Sequence, residues 1–156
     1  MTIVATTHIP VDDAYETLVG KAVYVFAYYE WVIIWIIERL QNGFVNKYSR
    51  GKPLTSGAVL QKLQSLISDP LTDFAKVSRP DLQACCSDFE SLIARRNALI
   101  HAHPCTDYDG SQILAYQTTI TKPLPDIRWS VAEVEAIMLK IDGAACDASR
   151  LLDKLR

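Results

Sequence analysis

No repeat and no low-complexity segment interrupts these 156 residues. Solenoid arrays and disordered linkers are therefore excluded as the basis of the chain. An excess of either charge is also missing: Lys and Arg total 16, Asp and Glu 18, and the formal net charge is -2. A polyanion binder that uses its whole surface is excluded, so any nucleic-acid contact must come from a local patch. None of the four cysteines, Cys85, Cys86, Cys105 and Cys146, is spaced as CxxC. That is the usage expected of a reduced, cytoplasmic protein. Met1 to Pro10 lacks the basic and apolar regions of a signal peptide and reads as an N-terminal arm. One long stretch lacks acid altogether: between Glu38 and Asp69 only Arg39, Lys47, Arg50, Lys52 and Lys62 carry charge. Such a run is either a solvated face or a surface that contacts phosphate.

What is present is an ordinary globular balance, 49% hydrophobic and 22% charged, over a length that suits one domain with a real core. A helical pattern runs from about Val11 to Gln41, and Asn42-Gly43 stops it. From Ala22 to Ile37 this helix is apolar on every side except at Glu30. The run reaches about 24 Å, short of a hydrocarbon core of roughly 30 Å, and Glu30 would lie near its centre. A buried helix is therefore expected rather than a membrane span. One side would face the core and another a second copy of the chain, with Glu30, Trp31 and Trp35 at the interface. Glu30 then needs a partner.

Asn42 to Pro53 reads as a polar loop, and Thr55 to Ile67 as a second helix with Leu60, Leu63, Leu66 and Ile67 inward. Ser68 to Ser78 is a connector in which Leu71, Phe74 and Val77 could form a short helix. Ser78-Arg79-Pro80-Asp81 opens a third helix, with a capping Ser, Pro in the first turn and an acid at the positive end of the dipole. It runs to about Ala102, before Pro104. Asp107-Tyr108-Asp109-Gly110 is a turn, and Ile113 to Trp129 reads as a β-hairpin or a pair of irregular strands. Ser130-Val131-Ala132-Glu133 is a capping box for a last helix reaching about Leu155. The expected architecture is all-α: an antiparallel four-helix bundle over residues 1–156, with a small β insertion at 105–129.

The third helix carries the chemistry. With Leu82 set at zero on an ideal wheel, Phe89, Ile93 and Ile100 fall within about 20° and Arg96 about 40° away. Arg96 thus lies on a core-facing line, where a guanidinium needs an anion, a hydrogen-bond network or a shared interface. Arg95 falls about 140° away, on the wet side. Glu90, Asn97 and His101 lie about 60° to 100° round, on one polar edge, and Asn97 and His101 are four apart. A cation, an amide and an imidazole gathered at a helix end suit phosphodiester chemistry. His can take or give a proton near neutral pH, and a guanidinium can hold phosphate charge. RNA brings its own 2′-hydroxyl nucleophile, so no metal or other cofactor is required. A capping His beside a structural Arg would show the same spacing.

Arg95-Arg96-Asn97-Ala98-Leu99-Ile100-His101-Ala102-His103 resembles the Arg-x4-6-His helix end of the HEPN superfamily, and the order of helices is similar too. The resemblance implies a four-helix bundle that dimerises so that two motifs face each other. It implies a metal-independent endoribonuclease in which His101 is general acid/base, Arg96 binds the scissile phosphate and Asn97 positions His101. Lys47, Arg50, Lys52, Arg95 and His103 are the candidate RNA contacts around that centre. Many members are toxins of toxin–antitoxin systems or parts of phage defence, which would make an antitoxin a partner. Others have lost activity and bind RNA or proteins. Two alternatives stand beside it. His101, His103, Cys105 and Cys146 could hold zinc, although the spacing is not a standard finger. The bundle could also be a non-enzymatic module that presents its apolar first helix to a partner. Cysteine catalysis has little support, since Cys85 and Cys86 sit in mid-helix and Cys105 has no visible orienting acid.

Overall fold

A computed structural model describes residues 7–121 and 124–156. Among the described residues five helices and three strands follow one another: α1 (Asp13–Leu40), α2 (Phe44–Arg50), α3 (Ser56–Ser68), α4 (Arg79–Ile100), β1 (His103–Thr106), β2 (Gln112–Tyr116), β3 (Ile127–Trp129) and α5 (Val131–Lys154). The chain is thus mostly helical, with a small antiparallel sheet before the last helix. The N-terminal arm is described only from Thr7, where it is exposed and irregular; residues 1–6 lie outside the described part.

Each long helix starts where a side-chain oxygen can take orphan N–H groups. Asp12 caps α1, Thr55 caps α3, Ser78 caps α4 and Ser130 caps α5. The capping box at Ser130 is only half made, because Glu133 turns to Arg95 instead of reaching back. α1 buries nine side chains, among them Phe26, Tyr29, Ile33 and Ile37, and packs along α5 and against α3. Its length and apolarity match those of a membrane-crossing helix, yet it is the central core helix here. α4 packs on both α3 and α5. Tyr29, fully buried, meets Phe89 edge-on at 5.4 Å, which places the aromatic centre of the core between α1 and α4.

Several expectations change. The stretch 42–53 is not a plain loop, since it contains α2. Gly43, at φ 94°, makes the left-handed turn, and both Glu38 carboxylate oxygens accept N–H groups beyond it, from Gly43 at 3.0 Å and Val45 at 2.7 Å. The connector after α3 holds turns and no helix; there Leu71 is exposed while Val77 is buried. The β insertion begins at His103, two residues early, and is a three-stranded sheet in the order β1-β2-β3 rather than a hairpin. β1 is an edge strand, so Pro104 can sit in it without a lost ladder bond. The turn at 107–110 joins β1 to β2, with Gly110 at φ 86° donating to Asp107. Lys122 and Pro123, within the expected extended segment, lie outside the described residues.

Tyr15 fastens this sheet to α1. Its hydroxyl donates to the Trp129 carbonyl at 2.6 Å and accepts the Leu114 N–H at 3.0 Å. Trp129 is fully buried, and its indole N–H donates to the Ala98 carbonyl at 3.0 Å. Ala98 lies in the last turn of α4, where carbonyls lack helical donors. Sheet, first helix and motif helix therefore meet at one tryptophan.

Candidate functional site at the end of α4

Arg96 does face inward, as its place on the wheel requires. Its Nη2 donates to the Ser56 hydroxyl, and that hydroxyl donates to Oε2 of Glu30. The one acid in the apolar run 22–37 of α1 and the inward arginine of α4 are thus joined through the first turn of α3. The guanidinium also lies over the Phe26 ring, 4.4 Å from its centroid. Burial holds the Arg96 pKa below its ordinary value, and the charge of Glu30 acts in the opposite direction. Its Nε is buried and finds no acceptor among the described residues. Glu30, expected at a dimer interface, is half-buried and already has its partner within the chain.

His101 is the C-cap of α4 and is exposed. Its backbone N–H donates to the Asn97 carbonyl at 3.0 Å, but the two side chains share no hydrogen bond among the described residues. Asn97 instead lines a mainly apolar cavity of about 440 Å³ with Glu90, Leu60, Ile93 and Tyr116. The expected edge of Glu90, Asn97 and His101 is therefore divided. Two members face this cavity, and the third faces solvent. Ile100 leaves the stripe as well, being 44% exposed, while Ala98 and Leu99 are buried. Trp129 and the sheet cover the opposite flank of the last turn, so the buried side of α4 rotates at its end.

Arg95 is not a free surface charge. Its guanidinium lies 5.1 Å from the Trp129 ring centroid and 3.5 Å from the Glu133 carboxylate. His103 is exposed on β1, with Nδ1 3.4 Å from the Pro104 carbonyl. Lys47 and Lys52 line a cleft between α2 and α3, whereas Arg50 is exposed outside that lining. Trp31 and Trp35 meet edge-on at 6.1 Å. Trp31 is 40% exposed and belongs to an uncovered apolar face of α1 with Val23, Tyr24 and Tyr28.

Among the described residues no three His, Cys, Asp or Glu side chains are grouped closely enough to hold a metal ion. His101 on the helix cap and His103 on a strand are not on one extended segment, which removes the geometry the zinc alternative needed. Cys85 and Cys86 are both buried, and burial pushes the Cys85 thiol up to about 12, away from thiolate chemistry.

Ser56, Tyr15 and Trp129 were not singled out by the sequence, and Glu133 was read only as part of a capping box, not as a partner of Arg95. A lone Glu in an apolar helix and an Arg on a core line both lacked partners, and that shared need was the available signal for their link. Nothing local marks Ser56 as the bridge. Comparison of the chain with protein-family models, curated proteins and solved structures finds no match.

Proposed function

We propose that this chain is an RNA-handling protein of the HEPN type, in which α1, α3, α4 and α5 form an antiparallel four-helix bundle. Two copies bring their α4 ends together and cleave RNA without a metal. The observation that carries this is the end of α4. It presents an exposed His101 on the cap and, just over one turn earlier, an arginine held in a fixed orientation by Ser56 and Glu30. A planar guanidinium has five donors, so the bond from Nη2 to Ser56 leaves others for a phosphate oxygen. His101 would move the proton of the 2′-hydroxyl, and Arg96 would steady the charge on phosphorus. Cytoplasmic placement and an antitoxin partner belong to the same proposal.

One observation favours a second reading, a non-enzymatic RNA- or protein-binding dimer. Arg96 already has intramolecular partners, and among the described residues no side chain hydrogen-bonds His101. The test is an RNA-cleavage assay in EDTA with wild type, Arg96→Ala and His101→Ala, each checked for folding by circular dichroism. Cleavage by wild type and its loss in folded His101→Ala supports the nuclease. Cleavage that survives His101→Ala refutes it, and no cleavage by wild type favours the binding module. Sedimentation should give a mass twice the 17.5 kDa of one chain.

A further inference from the structure

The cleft between α2 and α3 has features that the α4 site does not use. It encloses about 670 Å³, within the usual size range of ligand sites. Lys47 comes from α2, Lys52 from the following loop and Lys62 from α3, so three separate elements converge on one space. No carboxylate is among its lining residues, and none occurs in the chain between Glu38 and Asp69. The acid tied to its rim, Glu38, is occupied by the N–H groups of Gly43 and Val45. Among the described residues none of the three lysines forms an ion pair or a side-chain hydrogen bond. Like charges facing one cleft repel one another, so the arrangement favours an anion between them.

The cleft is separate from the arginine site. With Ser56 set at zero on α3, Ala58, Gln61, Lys62 and Ser65 fall about 140° to 240° round the helix. One side of α3 thus holds Arg96 through Ser56, and the opposite side lines the cleft. Beside the lysines the lining offers Tyr48 and Leu54 as apolar wall and Gln41, Asn42 and Gln61 as neutral hydrogen-bonding groups. Cations next to an aromatic ring are the pattern that takes a phosphate chain with its bases.

We infer that this cleft is a second site, independent of Arg96 and His101, that binds the phosphates of a single-stranded RNA segment. Three phosphate contacts give a salt slope near -2 for a single strand, so affinity should fall about 20-fold between 50 and 200 mM salt. The test is fluorescence anisotropy with a labelled 12-nucleotide oligouridylate, with inorganic tripolyphosphate as a second probe. In the double variant Lys47→Gln, Lys62→Gln the slope should drop to near -0.7, and affinity at 50 mM salt should fall at least about tenfold. Lys140→Gln, an exposed lysine of α5 outside both sites, should bind as wild type does, and binding is read without cleavage, which keeps this result distinct from the outcome of the cleavage assay. The lysines are unpartnered, so the double variant should fold, as circular dichroism will verify. Unchanged affinity and slope in the folded double variant would overturn the site. Lysine-dependent binding of tripolyphosphate without binding of RNA would overturn the strand as its ligand.

Discussion

Replacing Arg96 by Met keeps an apolar stem over Phe26 but removes the cation that Ser56 connects to Glu30. Breaking a fully buried ion pair costs about 3–5 kcal/mol, because one charge stays behind unpaired. Arg96 and Glu30 are only half-buried, and water can reach what remains, so about 2 kcal/mol is the expected loss. For a domain of this size that corresponds to roughly 4–8 °C in Tm. Glu30→Gln should cost about 1 kcal/mol, since the amide oxygen can still accept from Ser56. The informative quantity is the coupling. Urea unfolding of wild type, both single variants and the double variant should give a double variant at least about 1 kcal/mol more stable than additivity requires. Additive losses, within about 0.3–0.5 kcal/mol, would refute the relay through Ser56. They would also release Arg96 from a structural role and leave phosphate binding as the better reason for its inward position.

Two further outcomes follow from the geometry. Tyr15→Phe strands the Leu114 N–H and the Trp129 carbonyl, so chemical unfolding should show a loss of about 1–3 kcal/mol. Hydrogen exchange should quicken first at Leu114. Backbone N–H groups of Val45 and Gly43 hold the Glu38 carboxyl below its ordinary pKa. A depressed folded pKa adds stability that is complete above the unfolded value and is lost as pH falls through the folded one. Acid titration followed by circular dichroism should therefore show α2 loosening on that limb, and Glu38→Gln should show less α2 helix already at pH 7.

The order of elements was largely legible because it rests on local rules. Ser78, Pro80 and Asp81 announce the start of α4, and Ser130 announces α5, since caps act within one turn. The inward position of Arg96 was legible for the same reason: helical periodicity needs no neighbour. α2 was hidden because its stability depends on Glu38 reaching across Gly43, and on Phe44 and Tyr48 packing together. The exposure of Ile100 was hidden because a wheel has no knowledge of Trp129, which arrives thirty residues later and covers the other flank.

By itself, then, the sequence determined that a helix would carry Arg96 inward and Arg95 away from it, that His101 would stand at its end, and that Glu30 would need a partner. Tertiary structure decided who the partners are. Glu30 and Arg96 lie 66 positions apart and meet only because α3 sets Ser56 between them. Arg95 gained Trp129 and Glu133, and Lys47, Lys52 and Lys62 came to share one cleft, by the same packing of distant segments. Periodicity and capping are properties of a few neighbouring residues. The pairing of two charged groups depends on how whole helices lie against one another, and no local pattern records that.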